Sequence, residues 1–240
     1  MQGASRAYIA VCFALSLSAC GGGNGSPTSM PPPAAHYDLQ AGISEMVANG
    51  LSSNVALSGT VTVNGVSTTF TGSGTFTRPP AASATFNATA AMSQATTVAG
   101  SVTADGQTSP YSTSVTDYFA SSDGAFLGEV SAGEYDVAQA PISFPTTVTG
   151  GSSGTLGTLS RYTDSTMSVS LGTAQVSYST LAPVDPGSPI GIALTTKIFD
   201  THSTLIETDV TNYTLTTGGV VSLAGASAQN QSGMLTITVH

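Results

Sequence analysis

Alternating apolar and polar residues, broken by two-residue turns, predict an all-β fold. The expected form is an antiparallel, hairpin-rich β-sandwich or partly open barrel with one short N-terminal helix. Three observations carry this. Asn64-Gly65 and Asp105-Gly106 are type I′ turn signals, each between strand-like runs. Serine and threonine supply the polar positions, and threonine's β-branched side chain fits a pleated surface. Helical periodicity is confined to one segment: Leu39, Ile43, Met46 and Val47 fall at i, i+4, i+7 and i+8, with Asp38 near the start and Asn49-Gly50 as a stop. That helix is expected to pack on a sheet edge or close one end.

The strands follow in order. A two-residue loop at Asn64-Gly65 pairs Val63 with Val66, Val61 with Thr68, Gly59 with Phe70 and Leu57 with Gly72, so a large side chain faces a glycine twice. At Asp105-Gly106 the pattern recurs, with Gly100 opposite Tyr111. Gly59-Thr-Val-Thr-Val-Asn-Gly and Gly100-Ser-Val-Thr-Ala-Asp-Gly read as two copies of one hairpin. A third hairpin is expected about Gly172-Thr173, with Leu171 facing Ala174, Val169 facing Val176 and Met167 facing Tyr178. A fourth, about Thr201-His202-Ser203, sets Ile198 against Ile206, Leu194 against Val210 and Lys197 against Glu207. Leu235, Ile237 and Val239 alternate in a last strand. Pro79-Pro80, Pro141, Pro145 and the stretch from Pro183 to Pro189 mark strand ends. One domain over 37–240 is the expectation, a split near Gly150–Gly154 the alternative. A membrane-spanning barrel fits less well, because the strands lack aromatic girdles.

The first residues are an address. Arg6 precedes an apolar stretch from Ala7 to Leu17, too short for a stable membrane span and ended by small residues, as in an export signal. Leu17-Ser18-Ala19-Cys20 resembles the lipobox of bacterial lipoproteins. The resemblance implies a signal peptide over 1–19, lipidation of Cys20 and anchoring through its acyl chains, several of which make attachment lasting. Gly21 in place of an aspartate leans towards the outer membrane, if the sorting pattern of enteric bacteria applies. Residues 20–36 are then a lipidated Gly/Ser/Pro linker, with Pro31-Pro32-Pro33 as a stiff spacer. Cys12 leaves with the signal and Cys20 carries lipid, so no thiol remains for a disulfide, a metal or catalysis.

Charge narrows the partners. Charged residues are 7% of the chain, against about 25% in ordinary soluble proteins. Beyond the signal, Arg78, Arg161 and Lys197 face 13 acids. Such a surface does not neutralise a phosphate backbone, so no nucleic-acid partner is expected. Anionic headgroups would repel it, leaving the acyl chains as the membrane contact.

Candidate chemistry is sparse. Gly150-Gly151-Ser152-Ser153-Gly154 matches G-x-S-x-G, but a nucleophile elbow needs a helix after it, and strand follows here. His202 sits at an expected hairpin tip. Asp117, Asp123 and Glu129 take positions one, seven and twelve of a calcium-loop window whose third and sixth positions, Phe119 and Ser122, do not suit it. Glu134-Tyr135-Asp136 reads as a solvated acidic strand end. Arg161, Tyr162 and Asp164 form the densest polar cluster. Arg161 and Asp164 are expected to pair across a turn; as a ligand-binding set, Arg161 grips an anion or sugar hydroxyls while Tyr162 stacks. No catalytic residue, metal or cofactor is assigned. The expectation is a non-enzymatic outer-membrane lipoprotein that contacts an envelope protein or polysaccharide. The alternative is a carbohydrate- or small-ligand-binding β module on the same tether.

Overall fold

A computed structural model describes residues 35–185 and 187–240. Cys20, the signal and most of the linker lie outside the described residues. The helix α1 spans Leu39–Asn49. Asp38 caps it by accepting from the Ala41 amide at 2.8 Å, and Gly50, at φ +75°, ends it. The strands are β1 (Leu51–Val63), β2 (Val66–Arg78), β3 (Ala82–Phe86), β4 (Thr89–Ala104), β5 (Gln107–Ala120), β6 (Phe126–Ser131) and β7 (Glu134–Ile142). They continue as β8 (Ser153–Tyr162), β9 (Ser170–Thr180), β10 (Ile190–Phe199), β11 (Leu205–Leu215), β12 (Val221–Asn230) and β13 (Gly233–Val239).

The sheet closes into a 12-strand antiparallel barrel. β2 pairs with β4, a meander runs from β4 to β13, and β13 returns to pair with β1, Leu57 opposite Ile237. Closure buries the apolar face and leaves the ring itself without an open edge; among the described strands, the short β3 keeps one flank unpaired. The all-β antiparallel class is as expected, and the barrel is closed rather than partly open. Residues on both sides of Gly150–Gly154 belong to this one ring. β3 stands off it, paired to the lower part of β4. Its Phe86 stacks on Tyr118 at 4.5 Å and Tyr135 at 5.1 Å, both on the outer face.

The first two hairpins have the expected register, Gly59 opposite Phe70 and Gly100 opposite Tyr111. A Cβ on Gly59 would stand 2.8 Å from the Phe70 ring, so the ring does lie over bare backbone. At Gly100 the space is taken instead by the backbone of β2. Two later hairpins differ from expectation. Gly172-Thr173 is not a loop: β9 runs through it unbroken, Gly172 sits against the Phe199 carbonyl, and the turn falls at 163–169. Between β10 and β11 the register slips by one. Asp200 accepts from the His202 and Thr204 amides, which lengthens the turn, and a bulge follows at Ile198/Phe199. Ile198 therefore faces Glu207, Leu194 faces Thr211, and Lys197 faces Thr208. Lys197 is exposed on the outer face and does not meet Glu207.

α1 closes one end of the barrel. Leu39, Ile43 and Met46 join the core cluster with Leu57, Phe76, Ile190 and Leu215. Gly42 lies against Leu215 and Val221, where a Cβ would come within 2.8 Å of both side chains. Gln94, from β4, ties the helix down. Its amide donates to the carbonyls of Met46 at 3.0 Å and Pro79 at 2.9 Å. The other end carries the tight turns and has an uneven rim, because β6 accompanies β5 only from Val115 to Phe119.

The outer wall is hydroxylic. Ser67, Thr69, Thr71, Ser73, Thr75 and Thr77 alternate with the inward set of β2. Across strands, Thr62 meets Ser67 at 2.7 Å, Thr103 meets Thr108 at 2.8 Å and Thr97 meets Ser114 at 3.3 Å. Such cross-strand hydroxyl pairs stabilise a sheet modestly and keep its surface wetted without charge.

Candidate ligand site in the barrel lumen

Strand alternation decides which side chains enter the lumen. On β5 the buried set is Val115, Asp117 and Phe119, so a carboxylate shares the inner face with two apolar groups. On β8 Arg161 shares it with Leu159, and on β11 Asp209 shares it with Tyr213 and Leu215. Pairing then aligns Gln94, Asp117, Glu129, Asp136 and Arg161 on five successive strands, β4 to β8. The result is a polar belt round nearly half the lumen.

Two arginines anchor the belt. The Arg78 Nη2 donates to Asp117 Oδ2 at 2.6 Å and its Nε to Gln94 Oε1 at 2.6 Å. The Tyr213 hydroxyl lies against the same guanidinium. Burial pushes the Tyr213 phenol up; the Arg78 charge opposes this and the Asp117 charge adds to it. Nearer the turn end, Arg161 Nη2 donates to Glu134 Oε2 at 2.7 Å, and its Nε stands 3.5 Å from Asp136 Oδ2. Buried charges need such partners, since desolvation costs several kcal/mol per ion, by order of magnitude.

Between the belt and α1 lies a cavity of about 160 Å³. Its apolar wall includes Ile43 and Met46 of the helix with Phe76, Val98, Phe119 and Leu194. Arg78, Thr96, Asp117, Glu129, Asp209 and Thr211 form the polar wall. The lining also includes Ser114, an exposed residue on the stretch of β5 that β6 does not accompany. Thr96 is 8% exposed, and its Oγ1 has no hydrogen-bond partner among the described residues. Leaving a buried hydroxyl without a partner costs about 1–3 kcal/mol.

The structure separates the three residues singled out as a ligand-binding set. Arg161 is buried in the lumen against Glu134 and Asp136, where a turn pair with Asp164 had been expected. Tyr162 pairs with Tyr135 on the outer face. Asp164 is exposed in the 163–169 turn, and bonds from the Thr166 hydroxyl and amide hold its carboxyl below the usual range. Glu134 and Asp136 are inward rather than a solvated strand end. Of the calcium-loop window, Asp117 and Glu129 are neighbours in the lumen, while Asp123 accepts from the Ala125 amide in a turn. Ser152 is held by Thr149 in the loop before β8, and His202 is exposed at the opposite end of the barrel.

Sequence reading missed Arg78, Gln94, Thr96 and Asp209. The signal was parity. Each occupies the position in its strand that alternates with buried apolar residues, as Thr96 does with Val98. For Glu207 and Asp209, the parity is legible only once the bulge at Ile198/Phe199 is placed. Compared with protein-family models, with curated proteins and with solved structures, the chain gives no match.

Proposed function

We propose that this chain is a lipid-anchored, non-enzymatic binding protein of the cell envelope, and that its lumen holds a small ligand. The supporting observation is the cavity of about 160 Å³ with one apolar and one polar wall. Eight strands make a barrel that side chains just fill, and wider ones leave room for a ligand. Twelve strands leave a lumen that α1 fills at one end and not throughout.

The wall supports tethering over spanning. A membrane-embedded barrel carries an apolar band on its outside, whereas β2 and its neighbours present serine and threonine outward. Attachment then falls to acyl chains on Cys20, and Gly21 favours the outer membrane. Labelling with palmitate in the native host tests this: Cys20→Ala is expected to lose both label and membrane association, and membrane retention without label would overturn the anchor. For the lumen, native mass spectrometry of protein taken from its host is expected to show a bound small molecule. A lumen that arrives empty and stays empty across a screen of small amphiphiles would end the ligand reading.

The turn end favours a second reading, contact with an envelope protein. Val61, Val63, Val66 and Met234 are exposed there, Val66 at 68%. Around them lies an apolar hollow of about 220 Å³ lined by Phe70, Val102, Tyr111 and Leu235. Exposed apolar rims of this kind mark contact surfaces. A photo-crosslinker at Val66 is expected to capture one specific envelope protein; scattered or absent adducts would count against it.

A further inference from the structure

The two hollows of the barrel lie end to end. The cavity beneath α1 is lined by Phe76 on β2, Val98 on β4 and Ile237 on β13. The hollow at the turn end is lined by Phe70, Val102 and Leu235 of the same strands. On β13 these are successive inward positions, as are Thr113 and Tyr111 on β5 and Ala226 and Ala228 on β12. On β2 and β4 the inward positions between them are Gly74, Gly72 and Gly100, none of which projects a side chain. One end of this run is polar. Thr96 precedes Val98 on the inner face of β4, on the side away from the turn, and is 8% exposed with no hydrogen-bond partner for its Oγ1 among the described residues. The other end is apolar and borders the exposed Val61 and Met234.

We infer that the lumen takes a single-chain lipid, one unbranched hydrocarbon tail whose head group hydrogen-bonds Thr96. This deepens, and rests on, the lumen-binding reading given above. The Thr96 hydroxyl donates or accepts, and so takes a hydroxyl or a carbonyl. From there the tail runs past Phe76 and Val98, crosses the bare glycine stretch and ends among Phe70, Val102 and Leu235. The shape follows from the volumes. Hollows of about 160 and 220 Å³ each take little more than one ring, since an apolar cavity of about 150 Å³ admits benzene. The two are distinct, so a ligand that fills both must be thin where it passes from one to the other. An unbranched chain is; a branched or fused-ring body of equal volume is not. The stretch of β4 from Thr96 to Val102 covers about 20 Å at the usual strand rise, somewhat more than an extended dodecyl chain.

The test uses the full lipidated chain in nanodiscs of zwitterionic lipid, with each probe's binding corrected for its partition into empty discs. Four uncharged probes are compared: dodecanol, dodecane, hexanol and cyclododecanol. Dodecanol is expected to bind most tightly and to raise the unfolding temperature. Cyclododecanol, with the same carbon count and head group, is expected to bind at least about tenfold more weakly, because the ring does not pass between the hollows. Val102→Phe fills the turn-end hollow. It is expected to weaken dodecanol and dodecane by about tenfold, as the loss of roughly two buried methylenes implies, and to leave hexanol unchanged. Thr96→Val is expected to weaken dodecanol and hexanol by about fivefold, the worth of one hydrogen bond, and to leave dodecane unchanged. A dodecanol with a diazirine at its tail end needs no variant: on the parent chain it is expected to label Phe70, Val102 or Tyr111. Cyclododecanol binding as tightly as dodecanol, or tail-end labelling beneath α1, overturns the inference while the lumen remains a binding site. Thr96→Val without effect on either straight-chain alcohol overturns it as well. Should none of the four probes bind saturably, the lumen reading falls and takes the inference with it.

Discussion

Arg78 and Asp117 hold each other at 2.6 Å with side chains 8% and 11% exposed. At that depth the pair acts as one unit. Asp117→Asn removes the guanidinium's 2.6 Å ion pair and is expected to cost about 3–5 kcal/mol. Arg78→Met combined with Asp117→Leu is expected to cost less than either single change, because both members of the ion pair leave together. Urea unfolding of the four proteins measures the coupling, and strictly additive losses would refute it. Tyr111 makes a second point at this scale. Burial pushes its phenol up to about 12. A folded-state value above the unfolded one means that the stabilisation is fully present below the unfolded value near 10 and is lost as pH rises towards 12. Stability is therefore expected to fall across that window, and Tyr111→Phe to fall less steeply; identical profiles in alkaline urea titrations would contradict this.

Among the elements, α1 depends on a residue far from it in sequence. Gln94 receives Arg78 and donates to the Met46 and Pro79 carbonyls, so one amide joins helix, loop and salt bridge. Gln94→Leu is expected to cost about 1–3 kcal/mol and to speed hydrogen exchange at the Gly50 amide, which caps the helix on the Met46 carbonyl. Uniform acceleration across the barrel would instead show a global effect. The elements also show what was legible in advance. Asn64-Gly65 and Asp105-Gly106 turned as expected because backbone preference at positive φ is local. The helix was legible from its period and caps. Register failed where side chains rewired a turn: Asp200 gathers two amides, and Asp164 gathers Thr166. Those bonds depend on which amide the carboxylate reaches, and alternation carries no record of that. The lumen belt was half visible, since its members sit at apolar parity, but their convergence needs the closed ring.

At the scale of the whole molecule, one sheet predicts one transition. Strands before and after Gly150–Gly154 share the ring and the core cluster. Thermal unfolding is expected to be a single cooperative step by circular dichroism and by tyrosine fluorescence alike. Ile237→Ala, at 3% exposure on the closing strand, is expected to lower stability by about 2–5 kcal/mol without splitting the step. Two separated transitions would mean that the halves fold apart. The pairing of β1 with β13 also orders events in time. During synthesis β1 leaves the ribosome before the other described strands and β13 after them, so one flank of β1 waits for its neighbour until all of them are made. The wall therefore stays open, and its lumen unformed, until that strand is in place.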